Sequence, residues 1–247
     1  VYNLCQRHPK LARRIIHSIN VKALPEGYDV DTHFKPTYNP WDQRLCAVPD
    51  ADLFRSIKRG KADVVTDRIA RFTKDGILLE SGRTLEADII VTATGLKLLP
   101  FGGIQVAVDG EVKDPHQSLV YKSFMISDIP NMAFAFGYTN SSWTLKVGLV
   151  CEHLCRLLGY MDRHGYSTVV PVVDDPMIEK RPMLDFSAGY IQRSVDLFPQ
   201  QGASGPWTVE MDYWSDHARL RKGPVDDPAL RFSTAVAAEA VSGLARA

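Results

Sequence analysis

Apolar positions recur at helical spacing in two stretches of the chain and at strand spacing in several others. Over residues 4–24, Leu11, Ile15, Ile16 and Ile19 alternate with Arg and Lys, which predicts a surface helix or a pair broken around Pro9. Between residues 141 and 165, Val147, Val150, Cys151, Leu154, Leu157, Leu158 and Met161 share one helical face, with Glu152, Arg156 and Arg163 elsewhere. Ser141 or Ser142 is placed to cap that helix, and Gly165 to follow its end. A shorter helix, ADLFRSIKRG, is expected to start from a cap at Asp50 and stop at Gly60.

The strand-like pieces carry turn signals between them. VVTDRIARFT leads to a Lys74-Asp75-Gly76 turn, then ILLE, a Ser81-Gly82 turn and RTLEA, which together predict a small hairpin sheet. It feeds ADIIVTATG, residues 87–95, where five of nine positions are β-branched and Ile89, Ile90 and Val91 are adjacent. Apolar residues on both faces predict a covered parallel strand ending at Gly95. MAFAFGY, residues 132–138, reads as a second buried strand that also stops at a glycine. Two such strands suit one sheet with a ligand along the rim beyond their carboxyl ends.

Residues 25–49 are polar and proline-rich, and a connection this long is uncommon unless it is functional. STAVAAEAVSGLARA at the end has helical propensity without an amphipathic stripe, so a frayed tail is expected over 233–247.

Composition narrows the classes. Of 247 residues, 45% are hydrophobic and 23% charged, a globular profile with length enough for a substantial core. Lys+Arg and Asp+Glu each total 29, so the formal charge is zero and nucleic acid has no electrostatic support as a partner. The four cysteines, Cys5, Cys46, Cys151 and Cys155, form no C-x-x-C pair and are expected to be buried thiols in a reducing, cytoplasmic setting. The opening VYNLCQRHP has no signal-peptide pattern. His116 and His153 lack a ligand array, so no metal is expected.

DIIVTATG followed later by GYTNSSWTL resembles the class B flavoprotein monooxygenases, the flavin-containing and Baeyer–Villiger monooxygenases. NPWDQRLCAVPDADLF is similar to the linker that carries that family's active-site arginine. RPMLDFSAGYIQRSVDLFPQQG narrows the resemblance to the branch containing the ethionamide-activating Baeyer–Villiger monooxygenase, and the likeness runs through most of residues 1–232. The chain departs from the family in having no G-x-G-x-x-G, whose glycines cradle cofactor phosphates at a helix N-terminus. It also lacks F-x-G-x-x-x-H-x-x-x-W.

The resemblance implies an α/β fold, the C-terminal portion of a flavoprotein with two dinucleotide-binding, Rossmann-like domains for FAD and NADPH. Residues 1–87 would end the NADP-binding domain with a helical insert and the active-site linker. Residues 88–232 would form the returning part of the FAD-binding domain. It implies an enzyme that inserts one oxygen atom of O2 into a ketone, or oxidises a sulfur centre of a thio-substrate. Membrane association is compatible with it, and the N-terminal half could act as a separate partner chain.

By the same resemblance Arg44 is the catalytic residue. A guanidinium keeps its charge and suits a reaction in which oxygen becomes anionic. Asp42 and Gln43 beside it would support it or touch the nicotinamide ribose. Thr94 and Gly95 would pass close to the flavin. Asn140, Ser141 and Ser142 would line the cofactor at a helix N-terminus whose dipole favours negative charge. Trp143, Thr144 and Leu145 would shape the substrate pocket. Read without the family, Arg44 is a solvated loop residue, Ser142 a helix cap and Trp143 a core aromatic. The competing reading is a non-catalytic remnant or interaction module without nucleotide-binding loops. A fragment of a pyridine-nucleotide disulfide reductase shares the A-T-G stretch but lacks a supporting His-Glu pair.

Overall fold

A computed structural model of the chain describes residues 2–43, 45–46, 48–184 and 188–234. The chain forms two compact units, Val1–Leu96 and Lys97–Ala247.

The first unit begins with α1 (Tyr2–Arg7) and α2 (Pro9–Ala23). The expected break falls at Pro9, which occupies the first turn of α2, where a missing N–H costs nothing. Leu11, Ile15 and Ile19 are exposed and Ala12 is buried, as suits a surface helix. The one-turn helix α3 (Val30–His33) is capped by Asp29, whose carboxylate accepts from the Thr32 N–H at 3.0 Å.

The next helix, α4, spans Asp52–Lys58 and not the stretch from an Asp50 cap. Asp50 lies in a preceding 3-10 turn at φ 51°, and Ala51 at the N-cap position has no side chain to donate or accept. The C-terminal end behaves as expected. Gly60 takes φ +65°, its N–H donates to Ile57 O, and the Lys61 N–H donates to Ser56 O, a Schellman closure. Leu24, Val30 and Ile57 form the small core of this unit, with Tyr28, Phe34, Leu53 and Phe54 packed on it.

The hairpins form where the turn residues place them. β1 (Ile69–Thr73), β2 (Gly76–Leu79) and β3 (Thr84–Glu86) make an antiparallel sheet in the order β1-β2-β3. Gly76 is held so close to β3 that a Cβ there would lie 2.0 Å from Leu85 O. The strand expected over residues 87–95 does not form. The segment joins no ladder, and Ile89 and Val91 are 83% and 82% exposed. A strand exists only through partners for its N–H and C=O groups. Among the described residues β1 and β3 each pair with β2, and no strand pairs with this segment.

The second unit opens with the hairpin β4 (Val106–Val108) and β5 (Glu111–Lys113), turned by Asp109 and Gly110, both at positive φ. A tight buried hairpin follows, β6 (Val120–Tyr121) and β7 (Met125–Ile126). The second predicted strand, over residues 132–138, is reduced to an isolated bridge between Ala133 and Met125. Then α5 runs over Trp143–His164 and ends at Gly165 with φ +70°. β8 (Thr168–Pro171) pairs with the last strand, β11 (Leu230–Ser233). Between them lie β9 (Lys180–Pro182) paired with β10 (Gln200–Gly202), the short α6 (Gly189–Gln192), α7 (Tyr213–Asp216), and a π-helical turn over His217–Lys222.

The protein is thus a mixture of helix and strand, and the named strand pairs are all antiparallel. The parallel arrangement expected for the two glycine-terminated runs is absent among the described residues. No described helix is long and apolar enough to cross a membrane. Of the predicted tail, residues 235–247 lie outside the described residues.

The core of the second unit gathers Leu119, Tyr121, Phe124, Leu149, Val150, Leu157 and Leu220. It shares Val150, Leu157 and Met161 with the face of α5 that the apolar residues predict, and is rotated from it. Lys146, Leu149, Val150, His153, Leu157 and Met161 are buried, whereas Cys151 and Leu158 are exposed. Cys46 and Cys155 are exposed too, so Cys5 is the one buried thiol of the four. Arg156 reaches across to three carbonyls, of Leu220, Arg221 and Gly223. These bonds, with His153, turn that face toward the π-helical segment.

His153 makes the core pH-sensitive. Its Nδ1 bonds Leu220 O at 2.7 Å, Nε2 has no partner among the described residues, and Phe124 stacks edge-on at 5.4 Å. Burial, reinforced by the nearby charges of Lys122 and Arg156, pulls the imidazole pKa down to about 4. The folded state therefore holds a neutral ring where the unfolded chain would take a proton. That contribution is intact above the unfolded value of about 6.5 and is lost as pH falls from there toward 4. Going from pH 7 to pH 5 should lower unfolding stability by about 2 kcal/mol through this residue. Urea titrations of the parent and of His153→Gln at both pH values check it, the variant being expected to lose most of the slope.

Candidate functional site

Candidate residues occur in each of the two units. In the first unit, Pro36, Tyr38, Pro40, Trp41, Gln43, Leu45, Cys46 and Val48 line a cavity of about 700 Å³ together with residues of α2, α3 and α4. Its apolar walls include Phe34, Tyr38, Trp41 and Phe54, and its rim carries Arg13, His17 and Lys35. The charges are largely engaged. Arg13 donates to Pro36 O at 2.8 Å, and Asp31 pairs with Lys35 at 3.0 Å and His17 at 3.2 Å. The hydrogen bond from Lys35 holds the Asp31 carboxyl below its ordinary range.

The expected active-site linker is shaped by an Asn39-to-Asp42 turn. Asp42 N–H donates to Asn39 O at 3.0 Å, and its carboxylate accepts from Asn39 N–H at 2.9 Å. Trp41 in this turn takes φ 75°, packs edge-on against Tyr2, and buries its indole N–H without a partner among the described residues. Gln43 and Leu45 both line the cavity, and Gln43 bridges to Pro40. Arg44 itself lies outside the described residues. Thr94 and Gly95 sit in the exposed, ladder-free segment of the same unit, with Gly95 at φ 101°.

In the second unit the site is the turn that leads into α5. Residues 133–138 bring the backbone up to the helix start, and the approach is close. A Cβ on Gly137 would lie 2.4 Å from the Trp143 ring and 2.6 Å from Trp143 O. Trp143 packs edge-on to Phe136 at 5.2 Å. Ser142 stands at the N-cap position, but its hydroxyl bonds the Thr144 hydroxyl at 3.0 Å and caps nothing. The first N–H groups of a 22-residue helix are therefore left without a side-chain cap. Ser141, Ser142, Trp143, Thr144 and Leu145 are exposed around them. Trp143 is thus half-exposed and not a core aromatic.

Asn140 is fixed and half-satisfied. Its amide nitrogen donates to Met211 O at 2.9 Å, while its buried Oδ1 has no donor among the described residues. Beneath the turn lies a set of buried polar groups that residue types alone did not reveal. Lys146 and Asp216, both fully buried, are 3.1 Å apart, and the Tyr138 hydroxyl donates to Asp216 Oδ2 at 2.8 Å. Lys146 also donates to Glu210 O and lies 5.2 Å from the Tyr138 ring centroid. Burial lowers the Lys146 pKa against the pull of Asp216, and burial with Asp216 raises that of Tyr138. The available signal was periodicity: Lys146 precedes Leu149, Val150 and His153 by three, four and seven residues.

The turn at 140–145 thus stands as one constellation. Gln43, Thr94 and Gly95 belong to the other unit, and the described residues include no cluster of metal-ligating side chains.

The chain is 52% identical over 233 residues to the FAD-containing monooxygenase EthA of Mycobacterium tuberculosis, covering 94% of this chain and 48% of that protein. It is 45% identical over 241 residues to EthA of Mycolicibacterium smegmatis, covering 98% and 49%. It is 45% identical over 233 residues to the probable FAD-binding monooxygenase AlmA of Acinetobacter baylyi, covering 94% and 47%. The chain spans about half the length of the curated relatives it matches. No family model matches it. By sequence the chain is a homologue of these flavin monooxygenases.

Because the atoms closest to Gly137 include a backbone carbonyl, the α5 start cannot yield without moving the helix. Gly137→Ala should destabilise the second unit by about 1–3 kcal/mol, the usual cost of forcing extra volume into a packed contact. It should also raise the solvent exposure of Trp143. Denaturant unfolding followed by tryptophan fluorescence measures both, and a parent-like midpoint would remove the tight contact.

Proposed function

We propose that the chain supplies the active-site linker and the flavin-facing turn of an FAD- and NADPH-dependent monooxygenase of Baeyer–Villiger type. It would insert one atom of O2 into a ketone or oxidise a sulfur centre, the second atom leaving as water. The observation that carries this reading is Asn140 at the start of α5. A buried acceptor without a donor is costly, and here it stands beside uncapped helix N–H groups. A flavin ring system offers an imide N–H donor and takes negative charge on reduction, so these residues fit its isoalloxazine end.

Bound FAD would supply the oxygen chemistry and NADPH the reducing equivalents. The chain's residues would do the rest. Asn140, Ser141 and Ser142 would hold the ring system, with Thr94 and Gly95 offering backbone groups without bulk. Trp143, Thr144 and Leu145 would wall the substrate and keep water out. The Arg44 guanidinium would stabilise anionic oxygen as it develops, with Gln43 beside it toward the nicotinamide. In this reading residues 1–87 close the NADP-binding domain and 88–232 return to the FAD-binding domain, both Rossmann-like. The exposed Ile89 and Val91 would then join a sheet whose other strands come from the N-terminal half, supplied in the same polypeptide or as a partner chain.

A second reading, a non-catalytic module, is favoured by one fact. The sequence holds no G-x-G-x-x-G to cradle cofactor phosphates. The two readings separate on colour and turnover: a yellow protein with NADPH-dependent oxygen uptake supports the first, a colourless inert one the second.

Two outcomes are expected. The 247-residue chain alone should not bind FAD stoichiometrically, since only the isoalloxazine end has partners; flavin fluorescence titration measures this. In a protein that also carries the nucleotide-binding loops, Arg44→Ala should retain flavin and lose ketone oxygenation by about 3–4 kcal/mol of transition-state stabilisation, as for other preorganised donors. Steady-state kinetics beside the flavin spectrum distinguish the two effects. A variant with most of the parent rate would free Arg44 of that role.

A further inference from the structure

We infer that Lys146, Asp216 and Tyr138 form a positioning triad that locks the turn at residues 139–145 to the segment at 210–216. The inference deepens the reading of that turn given above, but it stands on the chain's own geometry.

Three donors within nine residues reach the same short segment. The Tyr138 hydroxyl bonds Asp216, the Asn140 amide bonds Met211 O, and Lys146 bonds both Asp216 and Glu210 O. Each link spans more than sixty residues of sequence, so none arises from local structure. Between these anchors the Thr139 hydroxyl also reaches the Met211 sulfur, and Trp143 packs on Gly137 and Phe136, contacts that fix the turn's ends but give its exposed polar groups no direction. Ser142 caps nothing, and residues 141–145 are exposed.

General stability is a poor reason for such a group. Taking an ammonium and a carboxylate wholly out of water often costs more than their attraction returns, and an apolar replacement of similar volume is commonly as stable. What an apolar replacement lacks is direction. Dispersion contacts tolerate a shift along the interface, whereas the Lys146 ammonium must meet one carboxylate oxygen and one carbonyl together. The pair also sits directly below the uncapped start of α5. Misplacing it would move the Asn140 acceptor and the helix N–H groups as a unit. Lys146, Asp216 and Tyr138 need touch no ligand to do this, and act through Asn140 and the helix start.

The test uses the full 247-residue chain without flavin, so its outcome is independent of cofactor binding. The double variant Lys146→Met with Asp216→Leu fills the site with apolar groups. Amide hydrogen exchange is then compared between residues 147–150, whose N–H groups close the first turn of α5, and residues 154–161 further along. Loss of positioning should speed exchange about tenfold at 147–150 and leave 154–161 as in the parent. Parent-like exchange in both segments overturns the inference, because the turn would then be held without the triad. Equal acceleration in both overturns it as well, because the triad would serve general stability. If the double variant does not fold, Tyr138→Phe, which removes one hydroxyl, is read by the same comparison and the same criteria.

Discussion

An ammonium and a carboxylate, Lys146 and Asp216, face each other at 3.1 Å with no exposure to water. Much of the second unit is arranged so that this can happen. A charge buried alone would cost far more than a domain's net stability, so each partner must arrive on time from a distant part of the chain. α5 must lie with Lys146 inward, which turns Leu149, Val150 and His153 inward as well. The chain after Trp207 must return across the helix start, which it does through Glu210, Met211 and α7. Arg219 steadies that return by donating to Thr208 through both its hydroxyl and its carbonyl.

That constraint explains what the sequence made legible and what it hid. Local turn chemistry was readable: Lys74-Asp75-Gly76, Ser81-Gly82 and Gly165 each carry their signal within a few residues, and β1, β2, β3 and the end of α5 form there. The facing of α5 was not readable from residue type. Lys and His on a helix are taken as solvent-facing by default, so Cys151 and Leu158 were assigned to the core in place of Lys146 and His153. The information that reverses this sits some seventy residues later, in Asp216 and the Leu220 carbonyl. The run at 87–95 failed for the opposite reason. Its composition is that of a strand, but strand propensity describes fitness for a ladder, and no described strand pairs with it. Of the candidate site, the turn at 140–145 was visible through its likeness to a family. The orphan acceptor of Asn140 was not, because it depends on where Met211 directs the amide.

The candidate residues of the two units stand in different electrostatic settings. The cavity beside the linker is lined by aromatic rings, with Asp31 paired to Lys35 and His17, Arg13 bonded to a carbonyl, and Arg14 also in its lining. It offers shape, a basic lining and an indole N–H with no partner among the described residues. The turn before α5 offers the reverse: few walls, but a buried acceptor and uncapped helix N–H groups held by a rigid polar base.

The same reasoning separates what a homologue at about half-identity must keep from what it can vary. Exposed residues of the turn are freer to vary: Leu145 faces solvent, and half-exposed Trp143 packs on Gly137 and Phe136. Lys146 and Asp216 cannot change singly, since losing one leaves the other a buried charge without its partner. They can change only together, toward an apolar set that fills the same volume and gives up the direction of the bonds. Selection on the turn's placement would retain the polar set, and selection on stability alone would let it drift. The polar base under α5 is therefore where the demands of folding and of site geometry part company in this chain.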